Sequence, residues 1–200
     1  MKNKLGGFGL ALALLAGTLL VPAVHAKCYL THQQAEKICF PEADRFEWKT
    51  HRYTPAEIAA IREGSGLMVI DPGVWYGVAL KDNHMIVSLI FDRAQGKHEF
   101  IDYAIALTPG GKVRQIEILE YRESWGSEVR RDNWRRQFVN KHSKSKLKLH
   151  DGIHNIAGAT ISCRNVTDGV RRPTHAWHVV LRPALVTAGR LPKLATGNDH

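Results

Sequence analysis

Acidic residues are scarce in this sequence. There are 19 Asp and Glu against 28 Lys and Arg, a formal net charge of +9 over 200 residues. Cysteine is scarcer, with three, and these form neither a CxxC pair nor a CxxCH, so zinc ribbons and covalent haem are not expected. The histidines number eleven, but His175 and His178 form only an i, i+3 pair with no carboxylate nearby, so no metal site is expected. No stretch after Ala26 is long and apolar enough to span a bilayer, which takes about 20 residues. Internal repeats and low-complexity segments are absent, which excludes solenoids and arrays. There is no nucleophile–base pair and no acid–base dyad, so no residue is assigned a catalytic role of its own.

What is present begins with a leader. Met1 to Lys4 is a short basic segment, Leu5 to Val21 is an apolar run, and Val24-His25-Ala26 supplies small residues at the −3 and −1 positions that a signal peptidase reads. Residues 1–26 are therefore expected to be a cleaved signal peptide, directing the chain to the periplasm. Cys28 follows a poor lipidation box and is read as an ordinary cysteine. Loss of Lys2 and Lys4 takes the net charge from +9 to +7. That balance suits an acidic protein partner, an anionic cofactor or a membrane surface, whereas nucleic acid is not a partner that an exported protein meets. In an oxidising compartment Cys28 and Cys39 are expected to pair.

The remaining chain is long enough for one compact core. Thr31 caps a short helix that Phe40-Pro41 stops, and Arg45 to Tyr53 reads as a strand. Thr54-Pro55-Ala56-Glu57 is a capping box with proline at the first helical position. Strand-like runs follow at Leu67–Ile70, Val74–Leu80 and Met85–Phe91, separated by Asp71-Pro72-Gly73 and Lys81-Asp82-Asn83 turns. Phe100–Leu107 and Lys112–Leu119 flank a Thr108-Pro109-Gly110-Gly111 turn. In the second of these strands Val113, Ile116 and Ile118 keep period 2 only roughly. Asp132 to Val139 reads as a helix, and Leu147 and Leu149 suggest a last strand. The fold class is α+β: an antiparallel, twisted sheet of five to seven strands, with helices mostly on one side. Residues 27–66 form an N-terminal helical and strand segment, 67–182 the main domain, and 183–200 a loosely ordered tail.

Two segments stand out. From Arg130 to Lys148 there are eight Lys or Arg and a single acidic residue, Asp132. Alone, such a run is a solvated face. In Ile156-Ala157-Gly158-Ala159-Thr160-Ile161-Ser162, small residues lead into a hydroxyl at the start of a helix that carries Val166 and Val170 one turn apart. Thr160 or Ser162 can be a plain helix cap there. Equally, small residues let a ligand approach the backbone, and the free N–H groups of a helix start welcome a phosphate.

Residues 157–162 resemble the attachment motif Ser/Thr-Gly-Ala-Thr-x-Thr/Ser of the FMN-binding domain family. This domain occurs in the covalently flavinylated subunits of the Rnf and sodium-pumping NADH:quinone oxidoreductase complexes, and in small exported proteins. Gly96 to Phe100, Ile116 to Glu123 and Trp134 to Phe138 extend the resemblance, which covers roughly Gly73 to Arg172. It implies FMN attached at the start of the C-terminal helix, moved from FAD by a flavin transferase onto Thr160 as a phosphoester, with Ser162 the fallback acceptor. Ala157, Gly158 and Ala159 would keep the approach open. Arg164 would neutralise the phosphate, shared with Arg130, Arg131, Arg135 and Arg136. Glu123 and Trp125 fall in a loop that lies against the flavin in larger members, where Trp125 can stack on the ring or pack half-buried. Asn165 can bond the flavin or face solvent. Two departures are Ala157 in place of Ser or Thr, and His154 where an acidic residue is usual. The implied function is electron transfer between redox donor and acceptor proteins, some membrane-bound. A periplasmic flavin-dependent reductase of a small molecule, or a flavin-free basic binding module, stays open.

Overall fold

The computed structural model describes residues 27–193, so the expected signal peptide and residues 194–200 of the tail lie outside the described residues. One six-stranded antiparallel sheet dominates, in the order β1-β6-β5-β4-β3-β2. Its strands are β1 (Lys27–Cys28), β2 (Arg45–Arg52), β3 (Gly73–Lys81), β4 (His84–Gln95), β5 (Phe100–Leu107) and β6 (Val113–Tyr121). The N-terminal segment is not a separate unit, because it supplies β1 and β2, the two edges of the sheet.

Local chemistry accounts for most of the connections. Helix α1 (His32–Cys39) starts at Thr31 and α2 (Pro55–Ser65) at Thr54, each with a complete capping box. The β3–β4 turn places Asp82 and Asn83 at φ +49° and +61°. That double positive pair is what a two-residue hairpin between right-twisted strands requires. The irregular spacing in β6 has a structural cause. Leu107 pairs with Val113 but Ala106 with Gln115, and Tyr103 pairs with Ile118 but Asp102 with Glu120. An extra residue at each bulge flips the alternation, so Val113, Ile116, Ile118 and Tyr121 all reach the same core.

That core lies on one face of the sheet, under α2, α3 (Asp132–Arg135), α4 (Thr160–Ala176) and α5 (Arg182–Thr187). Val166, Val170 and Trp177 from the α4 region meet Tyr103, Ile105 and Ile118 from the strands. The opposite face carries a smaller cluster in which α1 buries Ala35 and Cys39 against Ala104, Ala106 and Leu119. The α+β class, with helices mostly on one side, is therefore the observed one.

Four expectations are corrected. Leu67–Ile70 is a loop, not a strand, and Met68 and Ile70 are 62% and 77% exposed. Gly66, left-handed at φ +69°, turns the chain away after α2, and β3 already pairs β2 and β4 on its two sides. Leu149 lies in β7 (Lys148–Leu149), which pairs only with β8 (Gly152–Ile153), outside the main sheet. The tail is ordered at its start, since α5 and the buried Leu185 and Leu191 close the core. Cys28 and Cys39 are both free thiols. Cys28 is exposed on the edge strand, whereas Cys39 is buried, and burial pushes its thiol up to about 12.

Helix α4 approaches the sheet closely because of Gly169. A Cβ there would come within 2.2 Å of the Tyr103 hydroxyl, which donates to Asp92 across 3.1 Å. Alanine normally improves a helix interior by about 1 kcal/mol over glycine. Here the overpacking, about 1–3 kcal/mol, should win. Gly169→Ala is expected to lower the thermal and denaturant midpoints, and a raised midpoint would show that the contact yields without cost.

Candidate functional site

Gly158 sets the geometry of the site. Its φ of +84° is a conformation that side chains disfavour, and nothing lies within 4 Å of the place a Cβ would occupy. The chain turns there and enters α4, whose N-cap is Ala159. Alanine has no acceptor, and no side chain caps this helix. The first helical bond runs from the Cys163 N–H to the Ala159 carbonyl at 2.8 Å. The N–H groups of Thr160, Ile161 and Ser162 therefore have no helical acceptor and are available to an external anion.

The two candidate hydroxyls have different surroundings. Thr160 is half-buried on the wall of an open cleft of about 510 Å³, and its Oγ1 accepts from Asn155 Nδ2 at 2.9 Å. It is the first residue of the helix and does not cap it. Ser162 is only 4% exposed, and its Oγ lies 2.9 Å from the Tyr121 hydroxyl. Tyr121 has one proton and donates it to the Trp125 carbonyl, so Ser162 is the donor in the second bond. Gly126 (φ +96°) makes room for this pair, because a Cβ would lie 2.6 Å from the tyrosine oxygen and 2.7 Å from the serine oxygen.

The opposite wall is formed by Lys97, His98, Glu123, Ser124 and Trp125. Glu123 Oε1 accepts the backbone N–H of His98 and, at 3.0 Å, that of Glu99. Burial pushes its carboxyl up, but those N–H donors and the charge of His98 outweigh it and hold the carboxyl below its ordinary 4.5. A Cβ at Gly96 would meet that carboxylate at 2.4 Å, so the glycine is what lets Glu123 tuck beneath the turn. Trp125 is 86% exposed, so its indole is free beside the cleft and is not a packed core residue.

Other predicted residues sit elsewhere. Ala159 is on the cleft wall and Ala157 is exposed just before it. Arg164 is exposed and lies outside the cleft lining, where Lys97 is the cationic residue. Asn165 donates to the Gln95 carbonyl at the end of β4. Arg135 is committed to the fold: it pairs with Glu117, both largely buried, and donates to the Ile116 and Arg130 carbonyls. Arg136 pairs with Asp132, while Arg130 lies 4.3 Å from the centre of the Tyr29 ring.

The sequence reading gave no role to Tyr121, Asn155 or Gln137. Trp134 Nε1 donates to the His154 carbonyl at 2.8 Å, and the His154 N–H donates to Gln137 Oε1 at 2.7 Å. These two bonds fix the strand-like entry to the Gly158 turn. Gly126 was read as part of the loop that carries Glu123 and Trp125.

An uncapped helix start beside a cleft with an exposed indole and a lysine suits a phosphate-bearing aromatic cofactor. Among known proteins, residues 96–173 match the family described as FMN-binding domain, and the cofactor is FMN. A relative is one of the subunits of the proton-translocating ferredoxin:NAD(+) oxidoreductase complex of Clostridium ljungdahlii, 31% identical over 104 residues. The match covers 48% of this chain and 56% of the relative, so the chain spans little more than half of that protein's length. The residues present fit the cofactor: the free N–H groups suit a phosphate, and the open space around Gly158 admits it.

The Glu123 clamp predicts a pH dependence. A carboxylate whose folded value is depressed contributes stability above its unfolded value, and that contribution is lost as pH falls through the folded value. Protection of the His98 and Glu99 amides from hydrogen exchange should thus hold at neutral pH and fade in acid below 4.5. In Glu123→Ala the protection should be absent at every pH. Protection indifferent to that substitution would show the turn holds itself.

Proposed function

We propose that this protein is exported, carries FMN bonded through its phosphate to Thr160, and passes electrons between redox proteins outside the cytoplasm. The observation that carries this reading is the contrast between the two hydroxyls. Both line the cleft, but Thr160 is only half-buried at the first residue of an uncapped helix, whereas Ser162 is buried and engaged with Tyr121. The leader read in residues 1–26 supports export. The name of the Clostridium relative, a component of an oxidoreductase complex, supports electron transfer with partners at a membrane. No helix among the described residues is itself long and apolar enough to cross one.

The attachment step balances without any change of oxidation state. Thr160 Oγ1 bonds to the phosphorus of FAD that bears the riboflavin, the bond from that phosphorus to the bridging oxygen breaks, and AMP leaves. The hydroxyl proton goes to solvent. A separate flavin transferase would catalyse the step. The chain's own part is presentation: small residues at 157–159 admit the enzyme, and the N–H groups of the first turn receive the phosphate. Once bound, FMN supplies reversible uptake and release of electrons, while the protein sets its exposure and surroundings. Outside the cytoplasm no FMN pool refills an empty site. Even a nanomolar site, worth about −12 kcal/mol, empties under continual dilution. A phosphoester prevents that loss.

The partner surface follows from charge. Arg131, Lys141, Lys144 and Lys148 make no ion pair among the described residues, so part of the basic run is free for an acidic donor or acceptor. Exposed charges are screened over about 10 Å at 0.1 M salt, so reduction or oxidation by such a partner should slow as salt rises. A rate independent of ionic strength would return this run to a solvated face.

Thr160→Ala should abolish covalent flavin in protein co-produced with a flavin transferase, read as in-gel fluorescence and intact mass after denaturation. The substitution removes no cap and should leave a folded protein. Ser162→Ala should keep the flavin and lose about 1 kcal/mol of stability with its buried hydrogen bond. A fluorescent Thr160→Ala band beside a dark Ser162→Ala band would reverse the assignment.

A further inference from the structure

Asn155 is five residues before Thr160 and belongs to the turn that leads into α4, outside the small-residue motif. Its Nδ2 donates to Thr160 Oγ1 at 2.9 Å, while its own Oδ1 is buried without a partner. An amide turned the other way would let Oδ1 receive the threonine proton, at the expense of Nδ2. The two arrangements are not equivalent for the chemistry. A phosphoester oxygen has no proton to give and can only accept, so only the donor arrangement serves Thr160 both before and after modification.

The contact also settles a choice that threonine leaves open. In a helix its χ1 divides between two rotamers, because Oγ1 can turn back to a carbonyl three or four residues earlier. For Thr160 the carbonyl four residues back is that of Ile156, which already receives the Ala159 N–H at 3.0 Å. Donation from Asn155 selects the rotamer that keeps Oγ1 on the cleft wall. It occupies one lone pair and leaves the hydroxyl proton and the second lone pair directed elsewhere.

We propose that Asn155 is a positioning residue for flavin attachment, holding Thr160 Oγ1 toward the cleft by hydrogen-bond donation to the hydroxyl and then to the ester oxygen. This rests on Thr160 being the acceptor. Asn155 takes no proton in the step, which leaves to solvent as AMP departs from FAD.

The test uses the purified, unmodified chain with FAD and a flavin transferase, following attachment by intact mass. Asn155→Ala removes the donor, and Asn155→Asp keeps the shape but offers acceptors only. Both should attach flavin about two- to tenfold more slowly at saturating chain concentration. The concentration giving half the maximal rate should stay at its wild-type value. Should the alanine variant fail to fold, the aspartate variant gives the answer. Wild-type rates in both variants, with flavin still on Thr160, overturn the role of Asn155 and leave the proposed function intact. A slow alanine variant beside an aspartate variant of wild-type rate also overturns it, since donation is then not needed. A wild-type chain that takes no flavin at all overturns both.

Discussion

Helix α4 begins behind Ala159, a residue whose side chain cannot accept a hydrogen bond, and the rest of the site is arranged around that bare start. A missing cap costs a helix about 0.5–2 kcal/mol. The helix can bear it because nine of its 17 residues are buried, so packing rather than capping holds it in place. Three fastenings then fix the turn in front of it. Trp134 and Gln137 grip both sides of the His154 peptide, Tyr121 ties Ser162 to the Trp125 carbonyl, and Asn155 holds Thr160. The unpaired N–H groups are left for an external phosphate, which is the chemistry of FMN.

The same arrangement distinguishes the two hydroxyls. Ser162 also lines the cleft but is buried, and removing its proton would break a buried network. Thr160 is half-buried on that cleft, and its oxygen accepts from a single side-chain donor, Asn155. Across the cleft, Glu123 holds the turn that carries Lys97 and His98.

Elements set by a few adjacent residues were legible in the sequence. The Thr54 capping box, the Asp82-Asn83 turn and the small-residue approach to Thr160 each need only local chemistry, and the α+β class follows from the strand and helix periods. The resemblance, not the spacing, distinguished Thr160 from an ordinary cap. What was hidden depends on residues far apart in the chain. Tyr121 and Ser162 are 41 positions apart, and nothing near either one announces the other. The bulges in β6 show in sequence only as a broken alternation, and their cause is the pairing with β5. Arg135 reads as one more cation in a basic run until Glu117 is found beside it. Leu67–Ile70 has the composition of a strand, but the next strand in the chain, β3, is already paired on both sides.

The central claim concerns one oxygen atom, and peptide mass spectrometry addresses it directly. Trypsin should release the segment from Leu149 to Arg164, which holds both Thr160 and Ser162. In protein made together with a flavin transferase, that peptide should carry FMN, and fragmentation should place it on Thr160. Flavin on Ser162, or a fluorescent protein whose Leu149–Arg164 peptide is unmodified, would contradict the account.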